Sequence, residues 1–419
     1  MKILSRIPLA ALAAIVLTLT ASSASASSEK VLFNFQGAAY GSHPQQMVRD
    51  STGNIYAVTL IGGNATCTST CGLVMKLSPN SSGQMTESIL HTFSGGTDGD
   101  QPITIVMDSN GNLFVGADAG GGTGCDKKGC GTIVELSPIP TGGWKTTVVY
   151  TFLGGNNGSH GRVNLIDAAG NIYGFENGGS YNQIYELSPS SSGTWTHKII
   201  YNGTSTLPAS FPSFMDASGN IYGVVGSAGG TACLGGCGIA FELSPNSNGT
   251  WSNNILYSFQ GPPNDGGIPW AIVPDGAGNI FGVTSYGGSG TNSNCKILNG
   301  CGTLFELSPS SSGGYTESVL HDFNYALDGI DPVSIVRDSS GNLYVAVFGG
   351  GVGGNGQVLE FSPQVDGPWL YTVLHAFADS LGGALPGNLQ LDSEDNVYGI
   401  GYLGGSKGQG VVFELAPEN

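Results

Sequence analysis

The chain has 419 residues, 70 of them glycine, and acidic residues outnumber basic ones 30 to 13 for a net charge of −17. A surface this acidic repels phosphate backbones and anionic lipid, which argues against nucleic-acid or membrane-surface binding. Abundant glycine with few charges points to tight turns and short strands rather than helices.

The first element is not part of the fold. Lys2 and Arg6 precede an apolar stretch from Ile7 to Leu19, and Ala24-Ser25-Ala26 is a small-residue cleavage site. Residues 1–26 therefore read as a secretory signal, too short in its apolar part to span a bilayer comfortably. Its removal takes the net charge to about −19 and leaves no second hydrophobic span. The expected location is extracellular or periplasmic, where thiols oxidise.

Next comes Lys30 to Phe35, an alternating strand without a partner nearby in sequence. Behind it runs an array. Asp-x-x-Gly-Asn, an aliphatic residue and Tyr or Phe occur at Asp50–Tyr56, Asp108–Phe114, Asp167–Tyr173, Asp216–Tyr222, Asp275–Phe281 and Asp338–Tyr344. A seventh copy, Asp392–Tyr398, has Asp395 in place of Gly. In the second copy, Ile103 to Met107 reads as strand a, Asp108 to Gly111 as a turn and Asn112 to Ala117 as strand b. A Gly-rich loop leads to strand c, Thr132 to Leu136, and Trp144 to Phe152 alternates as strand d. Four short antiparallel strands per unit, repeated radially, describe a β-propeller blade. The last unit ends on Val411 to Pro417, which matches strand c, and Lys30 to Phe35 matches the missing strand d. The expectation is an all-β, seven-bladed β-propeller over residues 27–419, closed when the N-terminal strand completes the last blade.

Eight cysteines sit in the b–c loops as Cys67/Cys71, Cys125/Cys130, Cys233/Cys237 and Cys295/Cys301. Three repeats lack both members and none keeps just one, which is what a local crosslink requires. Four disulfides within their own loops are expected. Two thiolates without a nearby His do not complete a zinc site.

Gly-Asn-Ile-Tyr-Gly (219–223), Gly-Gly (229–230), Gly-Thr-Leu-Phe-Glu-Leu (302–307) and Val-Leu-His-x-Phe (319–323) resemble the GloVer tandem-repeat (choice-of-anchor) family of secreted bacterial proteins. The resemblance spans essentially the whole mature chain and implies export and a propeller-like fold, but no reaction. The C-terminal sorting anchor usual in that group is not recognisable before Asn419.

In a propeller the d–a and b–c loops share one face around the channel mouth, and function belongs there. The seven turn aspartates and the strand-c glutamates (Glu135, Glu186, Glu242, Glu306, Glu360, Glu414) repeat too regularly to form one catalytic pair. His91, His321 and His375, which share a position with tyrosines, read as packing residues of strand d. So do Trp144, Trp195, Trp251 and Trp369, which open it. Off-pattern residues remain. Seven positions before the turn Asp the series is His43, Gln101, His160, Ala209, Ile268, Asp331 and Leu385; two positions later it is Gln45, Ile103, Arg162, Phe211, Trp270, Val333 and Gly387. Pairing Asp167 with Asn171 would set Arg162 opposite Glu176. The ligand-binding candidates are thus His43, His160, Arg162, Glu176, Trp270 and Asp331, with Trp270 stacking on a sugar or plugging the channel against Phe211. Arg162 would hold a carboxylate, or merely pair with Glu176, and a His would act as base or metal ligand. Asp98-Gly99-Asp100, Asn264-Asp265-Gly266 and Asp328-Gly329 offer oxygens to Ca²⁺, although Asp-Gly is first a turn signal and the EF-hand spacing is absent. No other cofactor is indicated. The expected function is a secreted binding protein whose disulfide-stiffened face meets a glycan or protein. The alternative is an extracellular polysaccharide lyase or glycoside hydrolase at the channel mouth.

Overall fold

Each turn motif builds a hairpin through its own side chains. Asp50 Oδ1 accepts the Thr52 and Asn54 backbone N–H groups, and Oδ2 accepts the Asn54 amide and the Tyr56 hydroxyl. The same Asp–Asn bonds recur in all seven copies. Gly53 and its counterparts take positive φ there, and Asp395 adopts φ 61° where the seventh copy lacks glycine.

A computed structural model describes residues 29–63, 71–81, 84–178, 181–204, 212–289, 295, 300–311, 313–365, 367–378 and 381–416. The expected signal sequence, Cys67, Ala209 and Phe211 lie outside these. Seven four-stranded antiparallel sheets follow one another along the chain. Blade two, for example, comprises Asp100–Met107, Leu113–Ala119, Thr132–Pro138 and Trp144–Thr151 as strands a to d. Blade seven takes Ala384–Leu391, Val397–Leu403 and Val411–Leu415 from the C-terminal end and Glu29–Asn34 as its outer strand. Glu29 pairs with Leu415 and Asn34 with Val411, so the ring closes as expected and neither edge of the array is left open.

Blades are held to one another by three devices. Buried side chains of neighbouring sheets interdigitate, as where Val58 and Val74 of blade one join Ile105 and Val115 of blade two. The tryptophan opening strand d packs edge-on against the turn aromatic of the preceding blade: Trp144 on Tyr56, Trp195 on Phe114, Trp251 on Tyr173 and Trp369 on Phe281, at centroid separations of 5.6 to 6.1 Å. The third device joins the head of strand a to the preceding b–c loop in five blades. Backbone N–H groups of Gln101, His160 and Ile268 donate to the carbonyls of Cys71, Cys130 and Cys237, and in the cysteine-free blades Leu385 donates to Asn355 and His43 to Gln409. A glycine follows each accepting residue; Pro102, Pro269, Pro386 and Pro44 pack where the Cβ of Gly72, Gly238, Gly356 and Gly410 would be, and Pro332 does the same at Gly302.

Disulfides Cys125–Cys130, Cys233–Cys237 and Cys295–Cys301 form within their loops as expected. They are more than loop braces. Cys130, Cys237, Cys295 and Cys301 are buried in the core, and the carbonyls of Cys130 and Cys237 accept from the next blade.

Candidate binding site at the channel mouth

Strand a lines the channel and carries an irregularity near its head. In blade three, Ile166 faces Ile172 and Leu165 faces Tyr173, but the register shifts before Val163, which faces Gly174. Equivalent shifts occur in every blade, next to the proline in five of them. In blades one, two, five and six the residue left unpaired is Gln45, Ile103, Trp270 and Val333. Upstream of the shift, the series seven positions before the turn Asp takes a left-handed backbone: His43, Gln101, His160, Ile268, Asp331 and Leu385 all have φ between 54° and 58°.

The shift also overturns the expected partner of Arg162. Arg162 faces Phe175 across the hairpin, and Glu176 faces Gln183 on the next strand. The guanidinium Nη2 instead donates to Asp118 Oδ1 of blade two at 2.9 Å. Burial draws the Arg162 pKa down from its ordinary value and Asp118 opposes that. Glu176 is fully buried; its Oε2 lies 2.9 Å from Nε2 of His197, whose ring stacks on Tyr150 at 4.5 Å. Gly158 leaves room for this carboxylate, since a Cβ there would fall 2.3 Å from it.

Of the six candidates, Arg162 and Trp270 line one cavity of about 640 Å³ in the channel. The other four do not line it. His43 lies with its ring 5.0 Å from that of Tyr402, Asp331 bonds Ser285, and His160 sits 3.5 Å from the Asn177 amide. Burial raises the Asp331 pKa against the lowering effect of Ser285. A catalytic group assembled from all six is therefore not present.

Trp270 is 44% exposed on the cavity wall, and Phe348 is 37% exposed on the same wall. The cavity is also lined by Gln45, Gln46, Thr104, Asn164, Ser334 and Asn388. Several of these were not singled out in the sequence, and they have a second task. Gln46 Oε1 accepts Ile105 N–H, Thr104 Oγ1 accepts Val163 N–H, Ser334 Oγ accepts Leu389 N–H and Asn388 Oδ1 accepts Met47 N–H, each tying one inner strand to the next. A polar residue four places before the turn Asp, in an otherwise apolar run, was the signal available. Blades three to five have Val163, Pro212 and Ala271 there.

The Asp-Gly carboxylates that offered oxygens to Ca²⁺ have protein partners. Asp98 bonds His91 at 3.1 Å and the Ser94 N–H, Asp265 accepts from Tyr257 and the Gln260 N–H, and Asp328 bonds His321 at 2.7 Å and the Asn324 N–H. Each caps its d–a loop from the strand-d His or Tyr. Where that loop has Gly382 instead, Glu29 of the closing strand reaches His375 at 3.4 Å.

The model of the Gloeobacter/Verrucomicrobia repeat matches residues 14–237 and 290–419. The chain belongs to that family. No curated protein matches it. Among solved structures it is similar to the extracellular domain of a hybrid two-component system from B. thetaiotaomicron, with 13% identity and a TM-score of 0.53 over 94% of this chain and 41% of that one. It is also similar to a puromycin-hydrolyzing peptidase from Mycobacterium tuberculosis, with 8% identity and a TM-score of 0.51 over 90% of this chain and 52% of that one. The chain thus spans about half or less of either protein, and at such identities the likeness is one of fold.

Proposed function

We propose that this family member is a secreted binding protein whose channel mouth receives a glycan or a protein segment. The observation that carries the reading is the meeting of Arg162 and Trp270, two residues outside the repeat pattern, in one cavity. The repeat residues are by contrast consumed by turns and blade contacts. Exposed apolar residues support the same face: Tyr40, Leu153, Leu234, Leu327, Val352 and Leu381 all lie in d–a or b–c loops. The opposite face has Ile139 and Val365. Catalysis is the weaker reading, because the candidates scatter and no carboxylate or imidazole among the described residues lines the cavity. Glycan and peptide arrays probed with the mature protein and with Trp270→Ala test the proposal. Binding by the first that is lost in the second, at unchanged melting temperature, supports it; binding indifferent to Trp270 and to Arg162→Ala refutes it.

A further inference from the structure

Resting on that reading, we infer that the channel mouth selects a neutral saccharide over acidic or cationic ones. Charge gives the first argument. Among the described residues, Arg162 is the sole charged side chain lining the cavity, and its partner Asp118 cancels it at 2.9 Å. No acidic residue among the described ones lines this cavity. A uronate entering here meets no uncompensated cation, and an amine meets no carboxylate, so either loses its hydration for little return.

The hydrogen-bonding groups give the second argument. The amide orientations are fixed by their structural bonds: Gln46 and Asn388 each spend the oxygen on a backbone N–H, and Gln45 spends its nitrogen on the His43 carbonyl. That leaves Gln46 Nε2 and Asn388 Nδ2 as donors and Gln45 Oε1 as an acceptor. Thr104 and Ser334 accept through oxygen and keep their hydroxyl protons to donate. A wall that mixes fixed donors with a fixed acceptor suits hydroxyl groups, which do both; a carboxylate can only accept and an ammonium can only donate. Trp270 and Phe348, both partly exposed in the lining, supply apolar aromatic surface for a sugar ring's C–H groups. The volume of about 640 Å³ lies within the range of small-molecule sites.

The test is calorimetric titration of the mature protein with a panel of neutral pentasaccharides covering α- and β-linked hexoses and pentoses, with pentagalacturonate, with a chitosan pentamer and with neutral octapeptides. The inference predicts that a neutral sugar binds about tenfold or more tighter than either charged oligomer, with affinity unchanged on adding salt, and that Trp270→Ala loses about tenfold. Asp118→Asn, which unmasks Arg162, should raise affinity for pentagalacturonate about tenfold without improving neutral binding. Preference of the unmodified protein for a charged oligomer, or salt-sensitive binding of its best ligand, overturns the inference while Trp270 dependence would keep the channel-mouth reading. Trp270-dependent binding of peptides alone does the same. If no probe binds, or binding ignores Trp270, both fall.

Discussion

Glu176 occupies a position that is Thr59, Ala117, Val225, Thr284, Val347 or Gly401 in the other blades, all buried. A carboxylate there exists only because His197 answers it, while its Oε1 has no partner among the described residues. Removing the histidine strands a buried charge, whereas removing the acid removes the difficulty itself. Thermal or denaturant unfolding should show His197→Ala costing about 3 kcal/mol and Glu176→Val less than about 1 kcal/mol. The reverse order would mean that Glu176 is held by something other than the histidine. Trp270, nearly half exposed, should behave as a surface residue, with Trp270→Ala costing less than about 1 kcal/mol. A loss of about 3 kcal/mol or more would make it a channel plug. The sequence marked Trp270 as off-pattern, at a position that is Gln, Ile, Val or Gly in other repeats, but left open whether it stacks on a ligand or plugs the channel. The partner of Arg162 was not legible. Counting back from the turn assumes an unbroken ladder, and one bulge between Val163 and Leu165 moves every residue above it by one.

Blades as elements were fully legible: the turn chemistry, the alternation and the matching ends of the chain gave four strands, seven units and the closure. What joins blade to blade was hidden, because its signals are a glycine and a proline about thirty residues apart and a backbone angle that sequence does not display. The junction makes a sharp prediction. Gly238 and Gly249 both have positive φ, at 99° and 79°, so alanine at either carries a conformational penalty. At Gly249 nothing lies within 4 Å of the new Cβ, whereas at Gly238 it would fall 2.2 Å from Pro269. Gly249→Ala should therefore cost about 1 kcal/mol and Gly238→Ala well over about 2 kcal/mol in equilibrium unfolding. Equal costs would remove the glycine–proline contact from the forces joining blades four and five.

For the whole ring, stability should decline at both ends of the pH scale for different reasons. Asp50, Asp216, Asp275 and Asp392 titrate below the ordinary 3.8: burial opposes this, but hydrogen bonds from the turn outweigh it. A lowered carboxyl contributes stability above 3.8 that is lost as pH falls through the folded value, and these contributions act together. Glu317 goes the other way. Burial first, then Asp265 and Asp322, push it up to about 8, so its contribution is full below 4.5 and disappears as pH rises through about 8. Melting curves of Glu317→Gln should gain on the unmodified protein as pH rises across that interval, and parallel curves would contradict this. If a ligand sits on one face of the ring, at the channel mouth, hydrogen–deuterium exchange with and without a bound ligand will locate it. Protection is predicted at the strand-a heads, residues 43–46, 101–104, 160–164, 268–271, 331–334 and 385–388. Protection concentrated instead on the Asp-x-x-Gly-Asn turns of the opposite face would contradict the account.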